Sequence, residues 1–598
     1  MKGRSSAGRR KARKGQVQMR GLPVSPGIAV GEVFVLDARD LDIEEVRIAP
    51  EEIEREEKRL LEAIAETRDE VLKIRTRYRS IVGEDLVRVF DAQILLLEDE
   101  AVLDAALAEI REERRSAAAA AHHAFARAIE TLTRTENEYL RDRAEDVKDV
   151  RRRLLHHLHG GRRRSFAHID KNVILVADDL TPSETVQLPR SKVKGFATRQ
   201  GGRTSHTAIM ARSLQIPAVV GVEEILEEAE HRDRIIVDGS EGIVVLRPEA
   251  DLLRGARSRQ RRYMEVSRER LRLRDLPSVT RDGVEIRLFA NVDVPEEVPL
   301  AIENRARGIG LFRTEFLYFR DVEIAREEAQ TTVYRKILRR VSPDPVVFRT
   351  LDVGGDKVLD PLSAPMEPNP MLGWRGIRIS LELRDLFRVQ VRSLLRASTV
   401  GNLSILLPMI STLDEVLEAK RLIADAREEV RLEGVRLPEK IRVGAMIETP
   451  GAVFLAPHIA REVDFFSIGT NDLIQYSLAV DRDNVKVAHL FDPFHPAVSA
   501  MVKLVLDAAR DAEIPVSICG EMAGEPLCAI LLIGLGAREL SVHPYLILEL
   551  KRIFSLMETG EARALAEEAL RMPSAGRVRE AVEQFLHDLE VRGEREKG

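Results

Sequence analysis

The chain has little cysteine and no long apolar run, and each shortage excludes a class of protein. Two cysteines among 598 residues, Cys519 and Cys528, cannot build a disulfide framework, so a reducing, cytoplasmic setting is the default expectation. Charged residues interrupt every apolar stretch well short of the roughly 20 residues that span a bilayer, which argues against a membrane protein. The first 20 residues contain Lys, Arg, Gly and Ser but no acid and no apolar segment. They therefore do not read as a signal peptide and are expected to be a disordered basic tail. A nucleic-acid partner is not expected, since no binding motif follows the tail and the formal net charge is -6. The single tryptophan, Trp374, is read as a packing residue.

What is present is enough for two to four domains with ordinary cores, at 44% hydrophobic content. Val24 to Val35 reads as a turn and a short strand. From Pro50 to about His159, Gly and Pro are nearly absent, and Leu60, Ile64, Val71, Ile74 and Tyr78 recur at steps of three and four, the spacing of a helical bundle. Residues 51–110 hold 17 acids against 9 Lys and Arg, which suits docking of a basic partner or simply a solvated helix face. Strand signals return at Val173–Val176, Gly195–Ala197, Ala218–Gly221 and Arg234–Gly239, so the helices are expected to be inserted into an α/β domain. Residues 249–278 read as an arginine-rich linker helix. Beyond it, eight candidate strands alternate with amphipathic segments: Glu285–Asn291, Gly308–Phe312, Pro345–Arg349, Arg375–Ile379, Leu403–Leu407, Ile441–Met446, Val463–Ile468 and Pro515–Cys519. That alternation predicts a (β/α)8 barrel with its functional groups just after the strands. The expected division is a tail (1–20), an α/β domain (21–248) with a helical insertion (50–159), the linker (249–278) and the barrel (279–598).

Within the α/β part, Gly201-Gly202-Arg203-Thr204-Ser205-His206-Thr207-Ala208-Ile209-Met210-Ala211-Arg212 sets one histidine between a glycine turn and a small-residue helix. The glycines let the backbone approach a ligand, and a Thr204 or Ser205 cap leaves helix N–H groups for an anion. His206 could then be a nucleophile toward phosphorus; the competing reading is a surface histidine on a capping turn. In the barrel, Arg313 and Arg349 end strands at one mouth, and converging guanidinium groups imply an anionic substrate. Arg482, a short loop further on, could add a third positive charge. Glu448 and Asp472, with Asn471 beside the latter, end neighbouring strands, and two carboxylates near a phosphate suit Mg²⁺ better than zinc. Cys519 places a thiol at the same face, able to protonate a carbanion or enolate at neutral pH, unless it is simply core. Jointly these groups suit phosphoenolpyruvate.

Six spaced blocks carry a nearly full-length resemblance to Enzyme I of the bacterial sugar phosphotransferase system, the phosphoenolpyruvate-protein phosphotransferases. They are Gly201–Arg212, Tyr139–Val147, Phe312-Arg313-Thr314-Glu315-Phe316, Asp352-Val353-Gly354-Gly355-Asp356-Lys357, Gly469-Thr470-Asn471-Asp472-Leu473 and Cys519-Gly520-Glu521. The resemblance implies that His206 is phosphorylated through Nε2, and that Arg313, Arg349, Arg482 and Asn471 bind phosphoenolpyruvate with Asp472. It further implies Mg²⁺ held by Glu448 and Asp472, Cys519 as proton donor, an insertion that binds the phosphocarrier protein HPr, and a homodimer formed through the barrel. Thr185 would orient the resting histidine ring. The basic tail and the segment Leu540–Leu546, where Enzyme I usually has a small, Ser-rich turn, depart from the pattern. Pyruvate phosphate dikinase and phosphoenolpyruvate synthase share the histidine domain and barrel, but no segment here is expected to form their ATP-grasp domain and no nucleotide-binding glycine loop is present. The nitrogen-related Enzyme I paralogue has an extra sensory domain that is not expected here, and an inactive scaffold would be expected to lack the catalytic residues.

Overall fold

A computed structural model describes residues 15–36, 47–82, 88–133, 147–148, 150–155, 157–158, 169, 171–180, 192–202, 207–208, 211, 216–320, 326–354, 369–482, 484 and 486–597. His206, Thr185, residues 139–146, Gly355–Lys357 and most of the basic tail lie outside the described residues. The chain divides into two compact units, Met1–Val266 and Ser267–Gly598. The boundary falls inside the helix Ala250–Arg272, the segment expected to link domains.

The first unit is built on an eight-stranded sheet: β1 (Val17–Arg20), β2 (Leu22–Ser25), β3 (Ile28–Val35), β4 (Val173–Ala177), β5 (Val193–Thr198), β6 (Ala218–Val220), β7 (Arg234–Asp238) and β8 (Ile243–Leu246). Its order is β1-β8-β7-β3-β4-β5-β6-β2. The edge strands β1 and β2 are separated in sequence by Gly21 alone. Two peptide units span at most about 7 Å, so the sheet must wrap until its edges nearly meet. Gly21 sits at that seam, donating its N–H to Gly242 O at 2.9 Å, and a Cβ there would lie 2.5 Å from Val220 O. The strands β1, β2 and β8 have no counterpart in the sequence reading. They are only four residues long each, too short for a clear alternating pattern.

Residues 36–172 leave the sheet after β3 and return at β4, which pairs parallel with β3 in the register Glu32↔Val173 to Val35↔Val176. That crossover contains the helices Ile53–Val82, Arg88–Leu97, Glu100–Arg111 and Ala117–Thr133. Leu60, Ala63, Ala106, Ile110, Phe125 and Leu154 share one buried apolar core, so the three- and four-residue spacing does mark a bundle. On β4, Leu175 and Ala177 pack with Ala208 and Ala211 on one face of the sheet, while Ile174 and Val176 pack with Val237 and Val244 on the other.

The second unit is a closed barrel of eight strands, all parallel: β9 (Arg287–Val292), β10 (Ile309–Arg313), β11 (Val346–Arg349), β12 (Leu403–Leu407), β13 (Arg442–Ile447), β14 (Phe465–Gly469), β15 (Val516–Cys519) and β16 (Glu539–Val542). Seven of the eight expected strands are present. Arg375–Ile379 is not a strand: Gly376, at φ 60°, opens the helix Ile377–Glu382. The alternation of Ile377 and Ile379 looked like a strand because so short a run cannot separate a period of two from one of 3.6. The eighth strand is β16, which overlaps the start of the segment that departs from the family pattern. It closes the barrel by pairing Glu539–Val542 with Arg287–Ala290 of β9.

Candidate active site

The carboxyl ends of the barrel strands bring most of the expected residues to one face. Arg313 ends β10, Arg349 ends β11, Glu448 follows β13, Asn471 and Asp472 open the helix Thr470–Leu478 after β14, and Cys519 ends β15. Arg349 is buried between two acids, with Nη1 3.0 Å from Asp352 Oδ2 and Nη2 3.2 Å from Glu315 Oε1. Glu315 Oε1 also accepts the Asp352 N–H at 2.8 Å, so one carboxylate fixes both the loop after β11 and its arginine. Asp352 in turn accepts from Arg375 Nη2 at 2.9 Å, and the same nitrogen lies 3.4 Å from Asp472 Oδ2. Arg375 Nη1 donates to the hydroxyl of Tyr476 at 3.0 Å, and Tyr476 donates to Met371 O at 2.5 Å. Arg482 Nη1 approaches Asp472 Oδ1 at 3.6 Å, and Arg313 Nη1 pairs with Asp293 Oδ1 at 3.2 Å. Asn471 Oδ1 accepts the Glu521 N–H at 2.9 Å, tying the loops after β14 and β15 together.

Burial sets the protonation of these groups. It works against the charge of Arg349, but Glu315 and Asp352 outweigh it, and the guanidinium holds its proton more firmly than usual. Burial also pushes the Asp352 carboxyl up, yet Arg349 and Arg375 overcome that and keep it below the ordinary range. Glu448 goes the other way. Burial first, then the charges of Asp472 and Asp352, push its carboxyl up to about 8, although Met409 N–H donates to Oε1 at 2.6 Å. The Cys519 thiol is only 1% exposed, and burial pushes it up to about 11. Ser467 Oγ donates to its sulfur at 3.3 Å, and the sulfur donates to Ile468 O at 3.4 Å.

Arg313 Nε, Arg349 Nε and Arg482 Nη1 are buried donors without a hydrogen-bond partner, and Asp472 Oδ1 is a buried acceptor without one. Such orphaned groups are costly unless a ligand completes them. The unused N–H groups of Arg313 and Arg349 ask for an anion, while Arg482 Nη1 and Asp472 Oδ1 face each other at 3.6 Å without a hydrogen bond, and the Asp472 carboxylate beside the buried Glu448 carboxyl suits a cation. An all-oxygen pair of this kind fits Mg²⁺, which keeps few protein ligands and takes the rest from water and substrate oxygens.

Sequence reasoning missed Asp352, Arg375, Glu315 and Tyr476 as parts of this cluster. Glu315 and Asp352 lay in quoted blocks, but nothing in a linear sequence tells that they face Arg349. Tyr476 stands four residues after Asp472, hence on the same helix face, which was the available signal. In the first unit, Thr207 Oγ1 donates to Asp179 Oδ1 at 2.7 Å and to Leu180 O at 3.2 Å, anchoring the residue that follows His206.

Three family models match the chain in sequence order: the N-terminal domain of phosphoenolpyruvate-utilising enzymes over residues 20–143, their mobile domain over 169–242 and their phosphoenolpyruvate-binding domain over 267–559. The barrel and these three matches define a phosphoenolpyruvate-utilising enzyme. The chain is 42% identical over 558 residues to a phosphoenolpyruvate-protein phosphotransferase of Geobacillus stearothermophilus, covering 93% of this chain and 96% of that one. It is 40% identical to relatives of the same name from Priestia megaterium, over 570 residues, and Staphylococcus aureus, over 568 residues, covering 95% of this chain and 99% of each. A solution structure of an Enzyme I protein is similar over 41% of this chain and 99% of its own, at 33% identity and a TM-score of 0.36. The chain belongs to the phosphoenolpyruvate-protein phosphotransferase family, enzymes that transfer a phosphoryl group from phosphoenolpyruvate.

Proposed function

We propose that the protein moves the phosphoryl group of phosphoenolpyruvate to its own His206 and then to a histidine of an HPr phosphocarrier, releasing pyruvate, as the first step of sugar uptake. The observation that carries this reading is the pair of orphaned donors on Arg313 and Arg349, together with Arg482 and Asp472, which stand 3.6 Å apart without a hydrogen bond. The arginines would bind the phosphate and carboxylate of the substrate, with Asn471 and Asp472 completing the pocket. Glu448 and Asp472 would hold Mg²⁺, which when bound offsets charge on the phosphoryl group. The Arg349 guanidinium contributes to the same end, because it is already fixed by Glu315 and Asp352 and needs no reorganisation as charge develops. Transfer to His206 requires an unprotonated ring nitrogen, which favours neutral pH or above. The departing enolate of pyruvate would take its proton from Cys519, whose buried thiol stays protonated at neutral pH.

In this reading the tail (1–20) has no assigned part, the α/β domain (21–248) carries His206, the helical insertion (50–159) receives HPr, and the linker (249–278) lets the histidine visit both partners. The barrel (279–598) binds substrate and joins a homodimer, and the enzyme works in the cytoplasm. No helix among the described residues is long and apolar enough to cross a membrane. Incubation with phosphoenolpyruvate labelled in the phosphoryl group, plus Mg²⁺, should place acid-labile, base-stable label on His206. Label that persists on a His206→Ala variant would refute the assignment.

A further inference from the structure

Inside the barrel a line of hydroxyls leads away from the substrate face. Successive residues of a strand point to opposite sides, so Phe465, Ser467 and Gly469 of β14 and Ser517 and Cys519 of β15 all face the interior. The two strands pair with Ser467 opposite Ser517 and Gly469 opposite Cys519. Leu311, Leu406, Met446 and Phe465 form the apolar part of the lining around the thiol, with the charges of Glu448, Arg313 and Arg349 on its substrate side. Through that lining, Ser517 Oγ donates to Ser467 Oγ at 3.4 Å and Ser467 Oγ donates to Cys519 Sγ at 3.3 Å. Ser467 is fully buried, and Ser517, its register partner two residues before Cys519 on β15, is 9% exposed. The amino-terminal floor of the barrel is charged. Glu539, the strand partner of Ser517, opens β16 and pairs with Arg287 at the start of β9, and the guanidinium of Arg442, which opens β13, lies 5.9 Å from the Phe465 ring centre. A polar column therefore runs from the floor to the thiol.

We propose that Ser467 and Ser517 resupply Cys519 with the proton it gives up, drawing it from solvent at the floor of the barrel. The inference rests on the reading of Cys519 as the proton donor. When the enolate carbon takes the Sγ proton, a thiolate remains in a dry site, where it is costly. The thiolate then takes the Oγ proton of Ser467, Ser467 takes that of Ser517, and a water or buffer acid at the floor gives its proton to Ser517. At each hydroxyl one O–H bond breaks and one forms, the S–H bond is restored, and no electron changes hands. Ser467 and Ser517 act through Cys519 and are relay residues, not catalytic ones.

The test needs no acceptor protein. With the full chain, Mg²⁺, phosphoenolpyruvate and carbon-labelled pyruvate in D2O, two rates are read together: carbon label passing into phosphoenolpyruvate, and deuterium entering the pyruvate methyl group above the enzyme-free rate. Carbon exchange can shuttle one proton between Cys519 and substrate, whereas deuterium entry requires the thiol to exchange with solvent. Ser467→Ala and Ser517→Ala should each lower deuterium entry per carbon exchange by about tenfold or more. Ser517→Thr, which keeps a hydroxyl, should restore the ratio. A merely structural defect slows both rates together and leaves their ratio intact. An unchanged ratio in both alanine variants overturns the relay. If Cys519→Ala slows neither exchange, the proton-donor reading itself falls.

Discussion

Arg375 illustrates how single residues in the barrel act through their neighbours. Its guanidinium bridges Asp352 and Asp472, two acids on different loops, and its remaining arm is held by Tyr476. Removing the Tyr476 hydroxyl leaves a buried donor on Arg375 unpaired, a loss of about 1–3 kcal/mol. Tyr476→Phe should therefore raise KM for phosphoenolpyruvate roughly tenfold, since 1.4 kcal/mol corresponds to that factor. Steady-state kinetics at saturating Mg²⁺ would check this, and an unaltered KM would show that Arg375 does not depend on the tyrosine. Cys519 supplies a pH prediction. Its native pKa of about 11 lies above the ordinary value of 9.0, so the native state retains the proton between the two. Its contribution to stability is intact below pH 9 and is lost as pH rises through about 11. Alkylation of Cys519 by iodoacetamide, followed by peptide mass spectrometry, should be slower at pH 7 than for a free cysteine peptide and should accelerate as pH climbs toward 11. Equal rates at pH 7 would contradict a buried thiol.

At the scale of elements, the barrel places chemistry by ending strands at one level and fixing the loops that follow. The helix Ile377–Glu382 shows how this is done. Gly376 holds φ 60° and ψ -129°, and a Cβ there would lie 2.7 Å from Met409 Cβ, on the loop whose N–H binds Glu448. Gly376→Ala should cost about 1–3 kcal/mol from backbone conformation alone, with the contact against Met409 added. Thermal unfolding should show that loss in the transition of the unit 267–598, and an unshifted transition would mean that the loop adapts freely. Shortness also explains why a strand was expected at Arg375–Ile379 and a loop at Leu540–Leu546, part of which is strand. Alternating segments of three to five residues fit both periods, and the choice is made by what they pack against. Closing an eight-stranded barrel requires a partner for β9, and β16 supplies it.

For the whole molecule, the crossover from β3 to β4 means that the helical insertion can be lost without breaking sheet order, since β3 and β4 are already paired neighbours. Replacing residues 50–159 by a short flexible linker should spare labelling of His206 by phosphoenolpyruvate while abolishing transfer to HPr. Transfer that survives the replacement would place the acceptor surface elsewhere. Circular dichroism of the shortened chain would separate this result from a collapse of the sheet, whose seam at Gly21 depends on β1 and β2 staying on opposite edges.

The amino-acid sequence alone determined the fold class and most of the residues that gather at the strand ends of the barrel. Helical spacing marked the insertion, strand and helix alternation marked the barrel, and Arg313, Arg349, Glu448, Asp472 and Cys519 could be picked out because strand ends in such a barrel share one face. Tertiary structure decided which strand closes the barrel, and that Asp352, Arg375, Glu315 and Tyr476 belong to the cluster. It also decided that Ser467 and Ser517 line up beneath the thiol. The physical reason is that these features depend on contacts between residues far apart in the chain, such as Asp352 with Arg375, Arg375 with Tyr476 and Glu539 with Arg287. Periodicity reports which face of an element is buried, and only the folded packing reports what that face meets.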